Sequence, residues 1–204
     1  MPVIVVANPK GGVGKSTLAT QVAGWLAAQG HAVMLGDADR QQSSRTWLGL
    51  RPAAAAHISA WEVDRDAMVR PPKGTTHVVL DTPAGLHGKR FDEVMKIADK
   101  VIVPLQPSIF DIHATHDFIR QLKAHKRAAR VAIGIVGMRA RDGTISLDQL
   151  KTFLGTTGVP VLGFLRDTQN YVHLAARGLT LWDVSAHRVE RDLEQWQPIV
   201  AWLK

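Results

Sequence analysis

The stretch Asn8-Pro9-Lys10-Gly11-Gly12-Val13-Gly14-Lys15-Ser16-Thr17 limits what this chain can fold into more than any other. An apolar run, Val3-Ile4-Val5-Val6-Ala7, precedes it, and Leu18, Val22, Trp25 and Leu26 follow at i, i+4, i+7 and i+8. A strand, a glycine-rich turn and a helix in that order form the setting of a phosphate-binding loop. Glycines omit the Cβ atoms that would keep a backbone from wrapping a phosphate chain. Consecutive N–H groups and the positive end of the following helix then point at the anion. Lys15 supplies a point charge for the β- and γ-phosphates, and Ser16 offers a hydroxyl to Mg²⁺.

Beyond this loop, strand-like and helix-like segments alternate. Residues 31–36, 58–61, 77–80, 101–105, 131–136 and 159–165 read as strands. Residues 111–126, 146–154 and 170–176 read as helices, as does a last pattern carrying Val189, Leu193, Trp196 and Val200. Arg40 to Thr46 reads as a polar connection, and Pro198 is expected to kink or restart the last helix. The pattern predicts an α/β fold, a mostly parallel sheet with helices on both faces, of the phosphate-loop NTPase type. Its 204 residues are expected to form one domain, 1–204. Ligands of such sheets bind at the carboxyl ends of the strands.

Two further motifs fall at such ends. Val78-Val79-Leu80-Asp81-Thr82-Pro83-Ala84-Gly85 has Walker B character: an apolar strand delivers one carboxylate, Asp81, to hold Mg²⁺ or its water. Gly85 then belongs to a loop that senses the γ-phosphate. Asp37-Ala38-Asp39-Arg40-Gln41-Gln42-Ser43 ends the second strand, with one carboxylate expected at the metal shell and one at the attacking water. The Asn-Lys-x-Asp pattern of GTP-binding proteins has no match, since the asparagines are Asn8 and Asn170, so adenine is preferred.

The form Lys-Gly-Gly-x-Gly-Lys-Ser at Lys10–Ser16, with Pro9 where the standard pattern has glycine, resembles the deviant Walker A motif of the ParA/MinD family of ATPases. The resemblance spans almost the whole chain. It implies ATP and Mg²⁺ as cofactors, bound by Lys10, Gly11, Gly12, Val13, Gly14, Lys15, Ser16, Thr17 and Gly85, with metal contacts from Ser16, Asp39 and Asp81. Catalysis falls to Lys10, Lys15 and Asp39: Lys10 reaches the partner's nucleotide in an ATP-dependent homodimer, and Asp39 is needed for hydrolysis. Arg40 and Gln42 depart from the family's usual proline and glycine in this switch. Arg166, at the end of Gly163-Phe164-Leu165-Arg166-Asp167, and Tyr171 are implied near the base and the dimer interface. Where the family often has a base-contacting asparagine, this chain has Gly137-Met138-Arg139.

The resemblance also implies non-specific DNA binding and a ParB-like or other small adaptor that stimulates hydrolysis. A formal charge of +7 agrees with an anionic partner. From Arg120 to Arg141 seven basic residues run without an Asp or Glu. Arg120, Lys123, Lys126, Arg127 and Arg130 are the DNA-binding candidates, with Arg120, Lys123 and Arg127 expected on one helix face. The rival from another class is a MinD-like regulator recruited to membranes. Against it, the end from Glu190 to Lys204 mixes acidic with basic residues, so its apolar stripe is expected to dock on the sheet and no stable membrane association is expected. A metallochaperone reading is disfavoured by the absence of cysteine, and His113 and His116 lack further ligands at a metal-binding spacing. With no basic segment ahead of an apolar run at the N-terminus and no apolar stretch long enough to span a bilayer, the expected location is cytoplasmic, and the resemblance implies association with the nucleoid.

Overall fold

A computed structural model describes residues 1–63 and 71–204. Among them the strands are β1 (Val3–Val6), β2 (Val33–Asp37), β3 (Ile58–Trp61), β4 (His77–Asp81), β5 (Lys100–Leu105), β6 (Ala132–Ala140) and β7 (Val161–Arg166). They form one sheet in the order β3-β2-β4-β1-β5-β6-β7, with parallel pairing between neighbours. The helices are α1 (Lys15–Ala28), α2 (Ser43–Leu50), α3 (Gly88–Ile97), α4 (Ile109–Ala124), α5 (Ile145–Thr157), α6 (Gln169–Ala175) and α7 (Glu190–Leu203).

Both faces of the sheet are covered, which is why its strands read as apolar runs rather than as alternations. Successive side chains of a strand point to opposite faces. Val3, Val5 and Ala7 therefore join one core, with Phe91, Met95, Phe118, Leu122 and Leu150 of α3, α4 and α5. Ile4 and Val6 join the other, with Leu18, Val22, Trp25, Leu26, Trp196 and Ile199 of α1 and α7. α1 lies so close to the turn at Leu181–Asp183 that a Cβ on Gly24 would stand 2.4 Å from Thr180 Cγ2.

The expected fold class is the observed one, and the structure corrects some elements. α2 begins inside the segment expected to be a polar connection. Its N-terminus is not capped locally: Oδ2 of Asp37, at the end of β2, accepts the N–H groups of Ser44 and Arg45 at 2.8 and 3.2 Å. α3 has no counterpart among the expected elements. α7 runs through Pro198 without a restart, with Trp196, Ile199 and Leu203 buried on both sides of it. The proline gives up one backbone hydrogen bond, and this apolar anchoring offsets the loss. The helix docks on the sheet, as its apolar stripe implied.

Candidate functional site at the carboxyl edge of the sheet

The loop after β1 sits between β4 and β5, and both strands' connections brace it. Gly85 N–H donates to Pro9 O at 2.8 Å, and Gln106 Nε2 to Gly12 O at 2.8 Å. The buried Asn8 side chain donates to Pro104 O and to Thr115 Oγ1 of α4, while its own oxygen accepts Lys10 N–H. Gly12 and Gly14 take positive φ of 77° and 95°, where a side chain is strained. A Cβ on Gly14 would also stand 2.8 Å from Met138 Cε. Val13 is fully buried, so it lends the loop its backbone and turns its side chain inward. Lys15 opens α1, and its Nζ donates to Lys10 O at 2.6 Å. Burial pulls the Lys15 amine below its ordinary pKa, and the Asp81 and Asp39 charges push the other way. Lys15 is thus a partly desolvated cation inside a ring of backbone groups, as an anion site requires.

Asp81 is the deepest acid of the site, only 1% exposed. Its Oδ2 accepts Ser44 Oγ–H at 2.7 Å, and its Oδ1 is buried with no hydrogen-bond partner. Burial pushes the carboxyl up to about 6, against the hydroxyls of Ser16 and Ser44 and the charge of Lys15; the Asp37 charge adds to the rise. An orphaned carboxylate oxygen beside a serine hydroxyl is a hard-oxygen donor set, and it fits Mg²⁺, which takes one or two carboxylates and keeps several waters.

The paired carboxylates of β2 do not divide between metal and water as expected. Asp37 is a structural cap: Oδ1 accepts Asp39 N–H at 2.9 Å while Oδ2 holds the start of α2. Asp39, two residues beyond the strand's end, lines the cavity, and its Oδ1 accepts Gln41 N–H at 3.0 Å. Gln42 adopts φ 49°, a left-handed conformation that favours glycine, at the position where the family pattern has one.

The loop, Asp39 and Gly85 enclose an open cavity of ≈ 750 Å³. A second hollow of ≈ 470 Å³ shares Gly14, Thr17 and Arg139 with it and lies over the ends of β6 and β7, walled by Met138, Leu165, Tyr171 and Val172. Arg139 stands between the two with φ 51°, where the β6–β7 pairing is irregular. Arg166 lines the second hollow, but Asp192 of α7 engages its guanidinium and Gln195 Oε1 accepts its N–H at 2.8 Å. Tyr171 also lines it, and its hydroxyl accepts Trp196 Nε1–H at 3.0 Å.

Two cavity residues have no place in the sequence motifs, His87 and Arg90, while Arg40, Ser43 and Arg139 fall within motif stretches without an expected role there. His87 and Arg90 stand at the start of α3, an element whose apolar residues Phe91, Val94 and Met95 recur at i, i+3 and i+4, a legible helical signal. Ser44, which holds Asp81, sits on α2 and escapes notice for the same reason.

The basic stretch divides in two. Arg139 and Arg141 belong to the nucleotide edge, and Arg141 pairs with Asp167. Arg120, Lys123, Lys126, Arg127 and Arg130 lie toward the opposite edge, where α4 ends and β6 begins. The expectation that Arg120, Lys123 and Arg127 share one helix face is corrected: α4 ends at Ala124 and the chain turns to extended backbone at His125, so Arg127 is outside the helix. Arg127 is half-buried and its Nε is buried without a partner, and Lys123 Nζ donates to Thr157 O at 3.1 Å. Arg120, Lys126 and Arg130 are exposed. His113 is exposed, and the His116 ring stands edge-on to Phe153 with Nδ1 3.4 Å from Asp117.

A seven-stranded parallel sheet with a glycine loop between its central strands and a buried acid beside it defines a nucleotide-binding domain. Residues 4–181 match the CobQ/CobB/MinD/ParA nucleotide binding domain, and the chain belongs to that family, that of the ParA/MinD-type ATPases. It is 30% identical over 183 residues to the maintenance of carboxysome distribution protein A of Gloeobacter kilaueensis, covering 88% of this chain and 83% of the relative. It is 27% identical over 181 residues to the chromosome partitioning protein ParA of Caulobacter vibrioides, 67% of each chain. Its fold is similar to that of a Cyanothece McdA variant solved as an ATP complex, with TM-score 0.72, 17% identity and coverage of 98% of this chain and 96% of that one. No helix among the described residues is long and apolar enough to cross a membrane.

Proposed function

We propose that this protein is a single-domain, Mg²⁺-dependent ATPase of the ParA type that dimerises on ATP, binds DNA without sequence preference and positions a cargo. The observation that carries the reading is Asp81: a buried carboxylate with one oxygen unpartnered, next to Ser16 and Lys15, which themselves line the cavity. Such a group is expensive to bury unless a ligand completes it.

In this reading Gly11 to Thr17 bind the phosphates, and Lys15 leaves Lys10 O to meet them. Ser16 and Asp81, with Asp39, would hold Mg²⁺, which when bound would neutralise charge on the β- and γ-phosphates. Asp39, accessible from the cavity, orients the attacking water, which adds to the γ-phosphorus as the bond to the β-phosphate oxygen breaks. Lys10 is partly exposed and completes the partner's site. The hollow beside Met138 and Tyr171 takes the base. The exposed Arg120, Lys123, Lys126 and Arg130, with the half-buried Arg127, meet DNA phosphates from the opposite edge. Relatives named for carboxysome distribution and chromosome partitioning support positioning of a cargo as the class of work; a ParB-like adaptor that stimulates hydrolysis and a cytoplasmic location on the nucleoid complete the reading. A membrane-recruited regulator of the MinD kind is disfavoured because α7 spends its apolar residues Trp196, Ile199 and Leu203 on the protein's own core.

The test is calorimetric titration of the wild type and Asp81→Asn with ATP, with and without Mg²⁺. Wild-type binding should strengthen with Mg²⁺, and Asp81→Asn should bind ATP with no Mg²⁺ dependence. A wild type that ignores ATP sinks the reading.

A further inference from the structure

We infer that Arg90 is a terminal-phosphate residue that makes the site discriminate a nucleoside triphosphate from a diphosphate; this rests on the nucleotide reading above. The motifs of the phosphate loop, the β2 end and the β4 end do not include it, and it stands on α3.

The cavity has a direction. Its hollow for the base lies over β6 and β7, at Met138 and Tyr171. Asp39 and Gly85 line it on the far side, beyond the ends of β2 and β4, with Asp81 buried at the end of β4. A phosphate chain laid along Gly11 to Lys15 therefore places its last phosphate among Lys15, Asp39, Gly85 and Arg90. Only the last phosphate extends that far, so a diphosphate leaves Arg90 without an anion.

Arg90 is also free to respond. It is half-buried, it makes no ion pair among the described residues, and Nη2 makes its one side-chain hydrogen bond, to Ala38 O at 2.5 Å. A guanidinium carries five N–H donors, so most of its capacity is unspent inside an anion cavity. The carbonyl it holds belongs to the residue directly before Asp39. Engaging a phosphate thus re-aims the loop that carries the hydrolytic acid, through one covalent link.

The experiment compares the wild type, Arg90→Ala and Arg90→Lys by calorimetric titration with Mg²⁺ and either ATPγS or ADP, with thermal melting as a check of the fold. Arg90→Ala should lose about tenfold or more in ATPγS affinity while ADP affinity changes less than about twofold. Arg90→Lys should restore part of the ATPγS affinity, because it returns a charge without the fork. Equal losses for both nucleotides, or a lower melting temperature with unchanged affinities, would show that Arg90 only ties α3 to Ala38, and would overturn the proposal. A wild type that binds neither nucleotide removes the nucleotide reading itself, and this inference with it.

Discussion

Ser44 Oγ donates to Oδ2 of Asp81 across 2.7 Å, from the start of α2 to the end of β4, and leaves Oδ1 of the same carboxyl buried and unpartnered. The one bond steadies the acid and the missing one sets its chemistry.

Asp81 should make the nucleotide-free protein less stable as pH rises. Its carboxyl is raised from an ordinary 3.8 to about 6 by burial, so the protonated form is the one the fold prefers. The stability is fully present below pH 3.8 and is lost as pH rises through about 6, on the order of 3 kcal/mol at most. Denaturant unfolding between pH 4.5 and 7.5 should show this fall in the wild type and a flatter profile in Asp81→Asn. Mg²⁺ runs the other way, since it needs the ionised acid, so its affinity should drop below pH 6 in the wild type. Identical profiles in the two proteins would remove Asp81 as the titrating group.

Lys15→Ala should lose nucleotide affinity, because its Nζ is the ammonium that the loop folds around, bonded to Lys10 O at 2.6 Å. Asp39→Ala should keep it and lose turnover, by roughly a hundredfold or more, as removal of a general base does. Filter binding and phosphate release, measured side by side, separate the two. Equal ATPase rates in Asp39→Ala and the wild type would end the assignment of Asp39.

Lys10→Ala should bind ATP as a monomer and fail to dimerise. The Lys10 backbone oxygen, which accepts from Lys15, survives the substitution, so the loop should keep its shape. Light scattering with ATP and Mg²⁺ decides it: a variant that dimerises normally makes Lys10 a local contact only.

Charge reversal at Arg120, Lys126 and Arg130 should abolish binding to random-sequence duplex DNA and leave basal ATPase intact, because these side chains are exposed and lie at the edge away from the cavity. Wild-type affinity should fall steeply with salt and rise with ATP, as dimerisation doubles the phosphate contacts. Retention on anionic liposomes but not on DNA would favour the membrane reading instead.

The Arg51–Asp183 pair ties the end of α2 to the turn after α6, with Nη2 and Oδ1 at 2.9 Å and both side chains about 5% exposed. Arg51→Ala leaves Asp183 buried without its guanidinium and should cost about 3–5 kcal/mol in a urea titration. A loss under 1 kcal/mol would mean that the Thr180 N–H and hydroxyl, which Asp183 also accepts, suffice for it.

What was legible in the sequence was local. The apolar runs gave the strands because a parallel sheet buries both faces, and the glycine loop was readable because its residues are consecutive. The start of α2 was not, since its cap comes from Asp37, six residues before the helix begins, and not from the residue ahead of it. Asp37 and Asp39 look equivalent on the page. Their different work appears only when β2 ends between them and one carboxylate turns back to the helix. The resemblance puts Arg166 near the base, and it lines that hollow, but its guanidinium is engaged by Asp192, distant in sequence, which no local pattern foretells. The basic stretch is continuous in sequence, yet a full strand, β6, carries part of it to the other side of the molecule.

α4 links those two sides. Midway along it Thr115 accepts the hydrogen bond of Asn8 that braces the phosphate loop, and toward its end it carries Arg120 and Lys123. Its 16 residues make a rod about 24 Å long. No side chain of the loop is shared with the basic end, so mutations can rewrite either end while the other keeps its shape. Surface replacements at the foot of the rod can therefore change what that end meets and leave the phosphate loop as it is.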